Sequence, residues 1–545
     1  MAKARPAAQG PISIMRSTIL KVIVFALASF LLTASVFAQQ VVSWTTPSSG
    51  KWETSSEWSG GHGPDSASYV FITNAVSKVI TIDSTTTSSF TNSLVINSLV
   101  LNAPHGSTNT LSLTNGGLAV PLRVLAGLSI GSDGALSVNN SALLVNGAMT
   151  MNEGDPIAII TNGSLTAGSL ALGSAILNGG IGTLAIQAGA VVTVTSNITA
   201  VSPGAPSSIN IAGGSLIATN GLTQLGASGH AQLLISGGSH ILRQVWLGSP
   251  NPSPFSSGSL ILSGGTLTVQ GTGLGAGAGL ALSAGGYIQD GGDMEGSGTS
   301  FTIAYYPHNS TAYLSNGIAN WGAVYLGYSP GYTGTYVQAG GLMTVANNMV
   351  IGDNCAQGNG SVYGSVMLLG GTLCVTNATH TAWLDVRNGQ FLLGSNATLI
   401  VDNLIVTNSC GQFINSGGTL IMTNNPPILS PDMDADGDGQ SNGNEALAGT
   451  DPLDPTSYFH ILSTTLTNST GLSQGNPKDI RIDWTSVGQH SYVVQTNSNL
   501  TSSAFYDLSP VLTNTNPATI PGTNTYIHIG GATNATRYYR LRLGP

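Results

Sequence analysis

Residues Asp434 to Glu445 read DADGDGQSNGNE, with carboxylates at alternating positions, a glycine after the third and a further carboxylate at the end. A hard divalent cation needs this from a short chain segment: closely spaced oxygens, a sharp turn and a closing bidentate group. Asp434, Asp436 and Asp438 supply the first oxygens, Gly439 the turn and Glu445 the closing carboxylate. Gln440 offers its backbone carbonyl, and Asn442 a direct or water-mediated contact. The pattern predicts a Ca2+ site. Asp432, Asp451 and Asp454 add to the same acidic stretch, which holds no Lys or Arg from Asn388 to Pro477. Such a charge repels itself unless a cation or solvent offsets it. A solvated acidic linker is the alternative.

Elsewhere the chemistry is sparse. Asp290, Asp293 and Glu295 lie in IQDGGDMEG, and strand alternation places the last two on one face. Paired carboxylates can cleave glycosides, so these three are the catalytic candidates. Gly291 and Gly292 favour the competing reading, an acidic, solvated turn. Between Gln39 and Asn425 the basic residues are Lys51, Lys78, Arg123, Arg243 and Arg387. They are too scattered for a lyase acting on uronic acids, which needs clustered cations. Asp385 and Arg387 share a face and read as a salt bridge. His230, His240, His308 and His380 are dispersed, which predicts no transition-metal site. Short matches such as Gly61-His62-Gly63 and GLSIG (127–131) are expected by chance in so glycine-rich a chain, and GTGLGAGAG (271–279) looks like a phosphate loop but opens no helix. Tyr305, Tyr306, Tyr313, Trp321, Tyr325, Tyr328, Tyr332 and Tyr336 enrich one region in rings. They fit core and rim packing, or a face on which sugar rings stack.

The elements that must carry these residues are strands. From about Val41 to Thr423 a short apolar strand, a Gly-Gly turn and another strand recur, as in INIAGGSLIA (209–218), LILSGGTLTV (260–269) and FINSGGTLIM (413–422). Gly pairs begin at 213, 237, 264, 285, 340, 370 and 417, and a period of roughly 20–30 residues marks a solenoid. Leu, Ile and Val alternate with Ser, Thr and Asn, so each strand has one inward face. A coil cannot bury that face alone, but stacked coils can. The predicted fold is all-β: a parallel β-helix over 39–425, with Trp44, Trp52 and Trp58 in an N-terminal cap. A sugar-stacking face is the alternative for these tryptophans. A Pro-rich linker and the calcium loop follow over 426–458, with a helical turn at 444–449 ended by Gly449. A small antiparallel β-sandwich closes the chain over 459–545, on strand candidates 480–487, 491–497, 524–530 and 537–543.

The chain has 545 residues, of which only 7% are charged, against about 25% in an ordinary globular protein. Met15 opens a basic, then apolar segment that ends in small residues, so 1–38 reads as a signal peptide, cleaved before Gln39, with a true start at Met15. The mature chain would be exported and would hold no transmembrane segment. Loss of Lys3, Arg5, Arg16 and Lys21 takes the formal charge from −9 to −13, which excludes a nucleic-acid binder. Cys355, Cys374 and Cys410 are the only cysteines. Cys355 and Cys374 sit about one coil apart and could bridge, with buried free thiols the alternative.

Three features together resemble a class of secreted proteins from environmental Gram-negative bacteria. These join an autotransporter-passenger-like β-helix with GGTL-type repeats to a calcium segment of the thrombospondin type-3 or dockerin kind, and then to an immunoglobulin- or fibronectin-like sandwich. Here the features are the repeats, the run Asp434–Pro452, and Trp484, Tyr492, Gln495, Asn499–Leu500 and Tyr538–Leu543. The resemblance implies a cell-surface or extracellular role. The expectation is a non-enzymatic structural or adhesive solenoid, with extracellular glycans or neighbouring cell-surface proteins as partners. A carbohydrate-active hydrolase or lyase on the same scaffold is the alternative.

Overall fold

The computed structural model describes residues 40–544, apart from 91–92, 175–179, 250–255, 306–307, 329–330, 353–362, 408, 469–477, 502–503, 518–519 and 534–535. The leader segment and Tyr306 therefore lie outside the described residues, as does Cys355.

The repeats form a parallel β-solenoid of about 14 turns. Each coil visits three parallel sheets in turn, here called A, B and C. The strand His230–Leu247 runs through all three: Leu233 pairs with Leu260 in sheet A, Ile241 with Thr268 in sheet B, and Val245 with Leu280 in sheet C. Alternation decides what is buried. In Ser257–Val269 the residues Leu260, Leu262, Leu267 and Val269 point inward, while the serines and threonines between them are partly exposed. Register then stacks like on like down the axis. In sheet A one inward column runs Leu260, Tyr287, Ala312, Tyr336, Val366, Phe391, Phe413. Phe391 and Phe413 stack at 5.2 Å. Each such side chain is removed from water only by the coils above and below it.

The glycine pairs mark the corner between sheets A and B. At Gly238, Gly265, Gly292, Gly317, Gly341 and Gly371 φ is positive, and the corners stack so closely that side chains are excluded. A Cβ on Gly265 would lie 2.5 Å from the Gly238 carbonyl oxygen, and one on Gly292 2.6 Å from that of Gly265. This corrects the repeat as read from the sequence. Gly285–Gly286 is not a corner: it opens the sheet A strand Gly285–Gln289. The corner of that coil is Gly291–Gly292, and Asn316–Gly317 supplies the next one. The apparently double interval from 285 to 340 is thus filled by a pair of which only one member is glycine.

Trp44, Trp52 and Trp58 are buried. Trp58 meets Trp44 at 5.0 Å and Trp52 at 4.9 Å, both edge-on, so they form the core of the N-terminal cap and are not a sugar-stacking face. Cys374 is a free thiol and Cys410 is disulfide-bonded, so of the two alternatives for Cys374 the structure shows the free thiol and not a bridge to Cys355. Register places Cys374 on an outer position of sheet B, opposite Thr344 and Ile400.

The C-terminal segment is a sandwich of two antiparallel sheets. Ile461–Thr467, Asp479–Val487 and Pro521–His528 form one, and Ser491–Asn497 pairs with Tyr506–Asp507, Leu512–Thr513 and Tyr538–Leu543 in the other. Ile482, Trp484, Tyr492 and Val494 make its core. The buried Tyr492 hydroxyl accepts from the Val487 amide at 2.7 Å. Among the described residues no helix is long and apolar enough to cross a membrane.

Candidate functional site

Between solenoid and sandwich the chain turns sharply through the acidic loop. Gly437 and Gly439 have φ of 85° and 97°. A Cβ on Gly439 would meet nothing within 4 Å, so its backbone conformation, not space, calls for glycine. The loop runs into a helix, Asn442–Ala448, whose N-cap is Ser441 and whose C-cap, Gly449, is left-handed, as the sequence predicts.

One oxygen from each of Asp434, Asp436 and Asp438 lies within 4.8 Å of the others. Backbone amides hold these carboxylates: Gly437 and Gly439 each donate to Asp434 at 2.8 Å, Asp438 donates to Asp436 at 3.2 Å, and Gln440 donates to Asp438 at 2.7 Å. Glu445 enters from the helix and is fully buried, and Asp436 is nearly so. One oxygen on each of Asp436, Asp438 and Glu445 is buried without a hydrogen-bond partner. Among the described residues, no other Asp or Glu has such an oxygen. Burial pushes Asp436 up to about 7, helped by the charges of Asp438 and Asp434. Burial and the charges of Asp436 and Asp438 push Glu445 up to about 8. Asp438 is raised for the same reasons. A buried carboxylate lacking a partner is costly, and oxygen donors crowded this way suit a hard cation.

The other predicted contributors are placed differently. Asn442 accepts from the Ala435 amide at 3.1 Å and donates to the Ser430 carbonyl at 2.7 Å, so its amide clamps the loop's entry. The Gln440 side chain donates to the Phe459 carbonyl at 2.8 Å and accepts from its amide, tying the loop to the first residues of the sandwich. Ala435 and Leu453 belong to the solenoid's own core cluster, and the Phe413 amide donates to the Ala435 carbonyl at 2.6 Å. The acidic segment therefore covers the end of the solenoid. Neither residue is flagged by the cation motif; a small and an apolar residue bracketing an acidic run was the available signal.

The catalytic candidates lie on one turn and the strand that follows it. Asp290 is exposed in a turn, while Asp293 and Glu295 lie on the strand Asp293–Ile303. Glu295 accepts from the Ser297 amide and from the Asn320 side chain, both at 3.0 Å. Burial raises its pKa, but these hydrogen bonds outweigh that and leave it below the usual glutamate value. A general acid needs the opposite shift. Asn320 in turn accepts from Thr344 at 2.6 Å, so Glu295 ends a polar ladder across three coils. Most of the basic residues named above are engaged locally. Lys51 pairs with Asp83 at 2.6 Å, and Arg387 with Asp385 at 2.7 Å. Buried Lys78 donates to the carbonyls of Asn74, Ala75 and Val76 and to the Asn109 side chain. Of the aromatic group, Trp321 and Tyr336 are core, whereas Tyr313 and Tyr328 are exposed.

No family model matches the chain, and neither a curated protein nor a solved structure matches it.

Proposed function

We propose that this is an exported, non-enzymatic β-solenoid of the cell surface or extracellular space, structural or adhesive in role, whose C-terminal junction is stabilised by bound calcium. The observation that carries the reading is the set of partnerless, buried carboxylate oxygens on Asp436, Asp438 and Glu445 at the point where solenoid meets sandwich. Asp434, Asp436, Asp438 and Glu445 would hold the ion, with the Gln440 carbonyl completing the shell. The ion would offset four like charges and fix the loop that covers the last coil. A rod of polar outer faces, with its cations paired or scattered, suits a scaffold that presents surfaces. Glycans or neighbouring surface proteins are the partners such a scaffold meets. Calorimetric calcium titration tests the site: the Asp434→Ala, Asp436→Ala double variant should lose high-affinity uptake, and unchanged binding would sink the assignment.

A further inference from the structure

We propose that the outer face of sheet C, from Tyr325 to Ile428, is a binding groove for a neutral saccharide chain. The inference rests on the adhesive reading above and names the partner class and the place.

One outward column of sheet C can be followed in register along most of the solenoid. It begins with Ser43, Phe71 and Val100 and continues through Ser129, Thr150, Ala171, Thr199 and Gln224. After Trp246 and the buried Ala281 and Thr302 it runs on through Tyr325, Val350, Asp385, Ile405 and Ile428. In this last stretch Tyr325, Asp385, Ile405 and Ile428 keep part of their surface exposed, while Val350 is nearly buried among them. Two adjoining depressions lie along this stretch, of about 320 Å³ and 350 Å³, and both are lined by Trp383 and Arg387.

The lining has the two halves of sugar recognition. Rings come first: Tyr328 is 47% exposed, stacks on Tyr305 at 5.6 Å and meets Tyr325 edge-on at 6.4 Å. Trp383 is the second platform, with the Arg387 guanidinium 5.8 Å from its ring centre. Such faces suit the C–H faces of a pyranose. Planar polar groups come second. Asp385 and Arg387 form a donor–acceptor pair beside the rings, and Asn348 donates to the Tyr325 hydroxyl at 3.3 Å. That hydroxyl donates on to the Leu274 carbonyl at 3.0 Å, so the ring is held before any ligand arrives. The charge balance selects the ligand. Arg387 is matched by Asp385, and the chain is net acidic, so nothing in the groove compensates a uronate or a sulfate. The ladder steps by one strand spacing, about 4.8 Å, a step of the same order as one sugar in a chain. Five strands therefore span about 19 Å, the reach of a short oligosaccharide.

The test is calorimetric titration of the calcium-loaded chain from Gln39 with the hexasaccharides of cellulose, mannan and xylan, with hexagalacturonate as the charged comparator. At least one neutral hexasaccharide should bind. Tyr328→Ala and Trp383→Ala should each weaken it roughly tenfold, whereas Tyr313→Ala, at an exposed tyrosine on sheet A, should leave it unchanged. Absence of neutral-sugar binding, a preference for hexagalacturonate, or equal binding by the groove variants would each overturn the proposal. Calcium uptake measured on the same samples separates the two ideas: a silent groove with calcium uptake intact refutes the groove alone.

Discussion

Replacing Asp436 with Asn should change stability in opposite directions with and without calcium. The ligand oxygens of Asp434, Asp436 and Asp438 lie within 4.8 Å of one another. Two unit charges at that distance repel by about 3.5 kcal/mol at an effective dielectric of 20. Asp436 takes part in two such pairs, and it is buried. The partial exposure of Asp434 and Asp438 admits solvent and reduces the effect, so the expected gain from neutralising Asp436 in a chelator is on the order of 1–2 kcal/mol. With calcium the sign reverses. Loss of one of four carboxylate ligands should weaken binding about 100-fold, and the linked stabilisation falls by about 2.7 kcal/mol when calcium is in large excess over the wild-type dissociation constant. Denaturant unfolding of wild type and variant, each in chelator and in millimolar calcium, gives the four stabilities. A variant that is destabilised equally in both media would refute the reasoning, because Asp436 would then act by packing and not by charge.

Two further outcomes follow from other parts of the solenoid. Asp402 is buried; burial raises its pKa, but hydrogen bonds from Thr423, Asn377, His380 and Ala382 more than offset this and leave it below the usual aspartate value. A carboxylate lowered on folding contributes above its unfolded pKa, about 3.9, and loses that contribution as pH falls through the folded value. Asp402→Asn should therefore cost about 1–3 kcal/mol at neutral pH, and the difference from wild type should shrink in strongly acidic solution; a pH-independent difference in unfolding midpoint would contradict this. Gly265→Ala forces a side chain into a positive-φ corner with a carbonyl 2.5 Å away and should cost about 2 kcal/mol or more, where the same change at exposed Gly204, with nothing within 4 Å, should be nearly silent in the same denaturation assay.

The solenoid was legible because its physics is periodic. Alternation shows in LILSGGTLTV without any knowledge of partners, and the Gly-Gly corner repeats for a steric reason. Where a coil meets that steric demand with a single glycine, as at Asn316–Gly317, the text of the repeat fails although the geometry holds. The acidic loop was legible because its donors are local, all within twelve residues (434–445). What the loop touches was not. Ala435 meets Phe413 backbone to backbone, and the Gln440 side chain meets only the backbone of Phe459; a backbone partner leaves little trace in residue type. The strand Ile461–Thr467 escaped for a similar reason: most of it is exposed, so it shows no clean burial pattern. The sheet C groove takes Tyr325, Val350, Trp383 and Ile405 from four different coils. Only the register of the coils shows that they are neighbours.

The junction also governs how the molecule bears load. A pull applied through the sandwich enters the solenoid at its last coil, where the Phe413–Ala435 hydrogen bond and the buried Ala435 and Leu453 side chains join the two. If the coils yielded from that end one after another, each would open only its own ladder of bonds, and the first to yield would set the resistance of the solenoid. A cation clasped by Asp434, Asp436, Asp438 and Glu445 would act there as a mechanical latch, and the calcium concentration of the surroundings would determine the force at which the rod begins to unwind.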